Sequence, residues 1–141
     1  MSAAFEVVAT GLYALVGVIS LVMALESLRA RRFLNFHEAA AGGPWSAIDD
    51  GVQAVILALL RLSGLGFLVV GLQLLVVAVA GNLHAGIVVT VGLPCLSLLF
   101  CGGLCAINYQ LHRRTGAQTP WKGSLYAVIA LAVALILSLA A

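Results

Sequence analysis

Apolar residues run almost unbroken over four stretches of the chain, at about 5–28, 53–80, 84–107 and 122–140, and polar residues collect between them. Each stretch matches the roughly 20 residues that a helix rising 1.5 Å per residue needs to cross a hydrocarbon layer about 30 Å thick. None of them divides into an apolar and a polar face, as befits segments surrounded by lipid and by one another. A bilayer interior offers no water to backbone N–H and C=O groups, so the runs are predicted to be helices. The predicted fold is all-α: an integral membrane bundle of four transmembrane helices forming a single domain over 1–141.

The composition agrees. Hydrophobic residues make up 63% of 141 residues and charged residues only 9%, against about a quarter charged in a soluble domain. Mean hydropathy is +1.16. A net charge of +2 without a basic run interleaved with aromatics argues against a nucleic-acid partner. The first stretch has no basic residue ahead of it, and it outruns the roughly 7 to 15 residues of a signal-peptide core, so it reads as a retained helix.

Charge sets the expected threading. Arg29, Arg31 and Arg32 follow the first run, and Arg113, Arg114 and Lys122 lie between the third and fourth. The positive-inside rule makes 29–51 and 108–121 cytoplasmic loops and puts both termini on the outer, periplasmic side of an inner (plasma) membrane. Gly81-Asn82 is expected to turn tightly, pairing the second and third helices. Ser46 and Asp49 resemble a capping box for the second helix, and Thr119-Pro120-Trp121 offers the fourth an N-cap, a proline at its first position and an interfacial aromatic. Starting at Ser46, the second helix would exceed roughly 40 Å. That length predicts a break near Gly51 or a strong tilt. Pro94, after Gly92, is expected to kink the third helix and open space beside it.

Few residues inside the spans carry chemistry. Arg61 follows eight uncharged residues, and facing lipid it would cost at least about 2.5 kcal/mol. An intramembrane ion pair with Glu26 is expected to relieve that cost. Glu6 and Glu26 both lie near helix ends, and no span carries a charge at its centre, which weakens a proton-coupled transport reading. His37 and His112 are on one side and His84 on the other, so paired axial ligation of haem is not expected, and no cofactor is predicted. Cys95, Cys101 and Cys105 share one apolar run. Cys101 and Cys105 are one turn apart without a third ligand, so they read as buried small residues and no metal site is predicted. Small residues recur at packing spacing: Gly64, Gly66 and Gly71 in the second helix, and Ala130, Ala134 and Ser138 in the fourth. Such stripes let backbones approach, within a bundle or between protomers.

The segment RARRFLNFHEAAAGGPWSAIDDG holds the densest polar chemistry. Arginines, Trp45, Ser46, Asp49 and Asp50 are accounted for by topology, interface and helix start. Asn35, Phe36, His37 and Glu38 are not. Together with Arg31 and His112 they form the candidate interfacial site: Arg31, Asn35, His37, Glu38 and His112. No catalytic residue is assigned. Arg31, Asn35 and Glu38 resemble the R-x-x-x-N-x-x-E motif of the membrane-associated eicosanoid and glutathione metabolism proteins. That likeness implies a glutathione-holding role at a trimer interface, although AAAGGPW must end any helix the motif opens. FHEAAAGGPWSAIDDGVQAVILALLRLSGLGFLVVG and RRTGAQTPWKGSL resemble uncharacterised small bacterial four-helix membrane proteins, and RLSGLGFLVVGLQLL is similar to helices of DoxX-type proteins. The expected function is a non-catalytic accessory or self-associating subunit of a membrane complex, with membrane lipids and a homo-oligomer or larger assembly as partners. The alternatives are a glutathione- or lipid-dependent enzyme at the cytoplasmic interface and a small-molecule or lipid transporter.

Overall fold

The computed structural model describes residues 2–80 and 86–141. It contains α1 (Ser2–Arg29), α2 (Asn35–Ala41), a 3₁₀ turn (Trp45–Ala47), α3 (Asp50–Ala80), a π turn (Val88–Gly92), α4 (Leu93–Thr115) and α5 (Trp121–Ala140). No strand occurs among the described residues. Four helices are long and apolar enough to cross a membrane: α1, α3, α4 with its π turn, and α5. They form a ring in which α1 packs on α3 and α5, α5 packs on α4, and a thinner α3–α4 seam closes the circle. The Gly81-Asn82 turn and His84 lie outside the described residues, and α3 takes α1 rather than α4 as its main partner.

The helix ends depart from the sequence expectations for local reasons. Asp49, not Ser46, caps α3: its Oδ1 accepts the Gly51 and Val52 N–H groups at 2.9 and 3.4 Å. Its carbonyl takes the Gln53 N–H at 2.9 Å. A carboxylate serves the positive end of a helix dipole better than a hydroxyl, so Ser46 is left in the 3₁₀ turn. Gln53 Nε2 ties that turn down by donating to the Trp45 and Ile48 carbonyls at 3.2 and 2.8 Å. The helix runs through Gly51 without a break, which makes it about 46 Å long. Thr119 does not cap α5 either. Its hydroxyl donates to the Asn108 carbonyl at 2.8 Å and so pins the loop to α4.

The third span starts as a π turn because of Pro94. Proline has no N–H for the Thr90 carbonyl four residues earlier, and its ring crowds that carbonyl. The chain widens, and the Leu93 N–H donates to the Val88 carbonyl five residues back. At its other end α4 extends to Thr115, so the expected loop 108–121 contracts to 116–120. Gly116 at φ +69° ends the helix, with its N–H on the His112 carbonyl at 2.8 Å. His112, Arg113 and Arg114 occupy the last turn, where the dipole favours cations.

Glycines decide how α1 and α3 meet. A Cβ on Gly17 would stand 3.2 Å from the Gly71 carbonyl oxygen, and one on Gly71 would stand 3.0 Å from the Gly17 oxygen. The two backbones therefore touch with nothing between them. One turn away from that crossing, Gly71 faces Leu21, and further along Gly64 faces Ser27 and Leu28. This antiparallel register, carried on, sets Arg61 against residues 30–31, four to five residues past Glu26. Both side chains are exposed, and they form no ion pair among the described residues. The offset amounts to about 7 Å along the axis.

The other seams are built similarly. Gly66 receives the Phe100 ring, Leu131 and Ala134 are wholly buried, and Ser138 lies against Tyr13. The small-residue stripes at 64–71 and 130–138 are thus largely consumed inside the bundle. In the thin α3–α4 seam, Gln73 Nε2 donates to Ser97 Oγ at 2.6 Å and Ser97 donates to the Leu93 carbonyl at 3.0 Å. That polar pair compensates for sparse packing where hydrocarbon offers no competing partner.

Valine at position 71 is expected to destabilise the protein by about 1–3 kcal/mol, because the added methyls meet the Gly17 backbone. Gly11→Val, where a Cβ meets nothing within 4 Å, should cost much less. Denaturant unfolding of both variants in detergent measures the difference.

Candidate functional site

All seven Lys and Arg side chains are exposed: Arg29, Arg31, Arg32, Arg61, Arg113, Arg114 and Lys122. The helix registers bring them to one end of the bundle. Arg61 lies level with the end of α1, and Trp121 stacks edge-on against Tyr109 with ring centres 5.3 Å apart, which sets the start of α5 beside the last turns of α4. Lys122 Nζ lies 5.8 Å from the centre of the Trp121 ring. Cations and amphipathic aromatics at one level are what a membrane–water interface selects.

Helix α2 sits at this end. It opens with Leu34 in extended conformation, whose carbonyl accepts the His37 and Glu38 N–H groups, and it closes at Gly42 with φ +69°. The expected stop at AAAGG is therefore where the helix ends. Phe33 packs edge-on to Trp45 at 4.7 Å, and Phe36 lies 3.9 Å from the His37 ring. Helix α2 packs on α4. Between α2 and the 116–120 loop lies an open groove of about 530 Å³, lined by Asn35, Phe36, Ala39, Gln118, Thr119 and Pro120.

The five predicted interfacial residues divide. Asn35 lines the groove, Arg31 is exposed on the linker before α2, and Glu38 is half-buried. His112 is occupied elsewhere: its Nδ1 stands 2.7 Å from the Ala117 carbonyl. A carbonyl only accepts, so Nδ1 carries the proton and the ring clamps the loop. His37 has its Nδ1 enclosed without a hydrogen-bond partner. Burial pushes its imidazole below the ordinary value, so it is neutral at pH 7. Among the described residues no hydrogen bond or ring contact joins His37 or Glu38 to His112. The motif Arg31, Asn35 and Glu38 opens a helix of seven residues rather than a spanning one.

A second polar place lies at the opposite end. Glu6, Thr10 and Tyr13 of α1, Thr90 of the π turn and Ser138 of α5 line a partly enclosed cavity of about 110 Å³, with Val77 of α3 on its wall. Tyr13 is only 3% exposed, and its hydroxyl stands 3.5 Å from that of Ser138. From sequence, a buried carboxylate site is expected at mid-depth, whereas this one lies near a helix end. Its signal was present on α1, where Glu6, Thr10 and Tyr13 fall at i, i+4 and i+7 on one helical face. Nothing in the spacing of Thr90 and Ser138 points to the same place.

Cys101 is buried, Cys105 half-buried with Sγ 3.6 Å from the Trp121 carbonyl, and Cys95 exposed. No three His, Cys, Asp or Glu side chains gather among the described residues. The chain matches no protein-family model, no curated protein and no solved structure.

Lowering the pH below about 6.5 is expected to loosen α2. The released imidazole protonates more readily than the packed one, so stability is lost as pH falls from the ordinary histidine value through the lower folded one. Trp45 fluorescence should report the change between about pH 7 and 5, and His37→Phe should remove it.

Proposed function

We propose that the chain is a non-catalytic, multi-pass membrane component that associates with a second copy of itself through the outward face of α4. One observation carries this reading. On that face Cys95, Leu99, Gly102, Gly103, Ala106 and Gln110 fall on one side of the helix, and a Cβ at Gly102 or Gly103 meets nothing within 4 Å. The glycines of α3, by contrast, are filled by neighbouring side chains and backbone.

A glycine in a helix costs about 0.5–1 kcal/mol relative to alanine and brings nothing against lipid. Gly102 and Ala106 stand four apart, the spacing at which two parallel helices approach closely. Two copies threaded in the same direction present the same residues to each other across a twofold axis. The concentration of Lys and Arg at one end supports threading with that end in the cytoplasm and both termini outside. The likeness to small bacterial four-helix proteins supports an inner membrane as the setting.

Native mass spectrometry from lipid nanodiscs tests the reading. The wild type should appear as a dimer, and Gly102→Leu with Gly103→Leu should weaken it at least about tenfold, or roughly 1.4 kcal/mol. Gly123→Leu, at another open glycine, should leave the dimer intact. A monomeric wild type, or a double variant as dimeric as the wild type, contradicts the proposal.

A further inference from the structure

We infer that the cavity lined by Glu6, Thr10, Tyr13, Thr90 and Ser138 binds a small monovalent cation. Eleven of the twelve charged residues fall within 26–61 or 113–122, and Glu6 alone lies outside those segments. Among Asp, Glu, Lys and Arg side chains, the end of the bundle opposite the arginines therefore holds Glu6 alone, and the cavity opens beside it.

The chemistry of the lining narrows the ligand. Among the described residues, its five polar side chains offer a carboxylate and four hydroxyls, and no cationic or amide nitrogen. Oxygen donors of this kind suit a hard cation or the N–H groups of an ammonium ion. An anion would meet Glu6 with no counter-charge among the described lining residues. The Ser138 proton is committed to the Ala134 carbonyl at 2.8 Å, which leaves that hydroxyl's lone pairs for a donor or cation. One carboxylate favours a monovalent ion, because sites for divalent cations use several.

Size and backbone point the same way. A volume of about 110 Å³ corresponds to three or four waters at about 30 Å³ each. It accommodates a partly hydrated alkali ion or a methylammonium. Thr90 enters the cavity from the π turn at Val88–Gly92, and such widened turns are frequent where helices carry function. Apolar side chains would close this space at no cost in lipid. Instead three helices and the turn each contribute an oxygen or a wall.

The full chain in nanodiscs is titrated separately with sodium chloride, methylammonium chloride and N-methylglucamine chloride at matched ionic strength, and its Tm is followed. A saturable rise with sodium or methylammonium, absent with N-methylglucamine, is the expected result. Response to sodium alone assigns an alkali ion, and response to methylammonium a small amine. Glu6→Gln should raise the half-maximal concentration at least about tenfold while leaving the ligand-free Tm unchanged, since Glu6 is exposed. Thr90→Val provides a second variant with the same expected loss. No saturable shift with either small cation, or one that both variants retain, overturns the inference.

Discussion

Two glycines, Gly17 and Gly71, bring the backbones of α1 and α3 into direct contact, and the rest of the bundle is positioned from that crossing. Each carbonyl oxygen lies within 3.0–3.2 Å of where the other residue's Cβ would be. Lipid supplies no hydrophobic drive between helices, so close backbone approach and the dispersion contacts it allows are the main cohesive terms available. The crossing is also directional. It fixes which residues of α1 face which of α3 along the whole length of both helices.

The two ends follow from that register. Arg61 lies ten residues, about 15 Å, from Gly71, and Arg29 lies twelve, about 18 Å, from Gly17. A crossing near the bilayer centre therefore delivers both arginines to the same interface, and it delivers Glu6 to the other. Arg61 reaches water by its depth rather than by a carboxylate. The first eleven residues of α3 then project past the end of α1, and the linker with α2 folds back beside them against α4. Gln73 and Ser97 hold the weakest seam near mid-depth, where a hydrogen bond has least competition.

The four spans were legible in the sequence because hydropathy alone encodes them, and the stop after α2 was legible because Gly42-Gly43-Pro44 permits little else. Register was not legible. Glu26 and Arg61 appeared to be at one depth when each was counted from its own helix end, but α3 begins at Asp50 and overhangs α1. The start of α3 was misread by three residues because Ser46 and Asp49 both cap well, and only the competition between them decides. The candidate site was half legible: Asn35 lines a groove, whereas His112 is spent on its own loop. Small residues misled in a different way. Those at 64–71 and 130–138 were conspicuous and belong to the interior, while Gly102 and Gly103 attract notice only once α4 has an inside and an outside. The cavity at the end opposite the arginines depends on residues from four segments, which no local pattern connects.

The α1–α3 register is the claim from which the levels, the ends and the cavity all derive, and disulfide trapping reads it directly. In a background lacking Cys95, Cys101 and Cys105, cysteines are introduced at Gly17 with Leu74 and, separately, at Ser27 with Gly64. The Cβ positions of these pairs are 3.3 and 3.1 Å apart, close to the span that a disulfide bridges. Both pairs should cross-link rapidly in membranes. Cross-linking of position 17 to 67 or 78 in preference to 74 would mean a different register and would contradict the account.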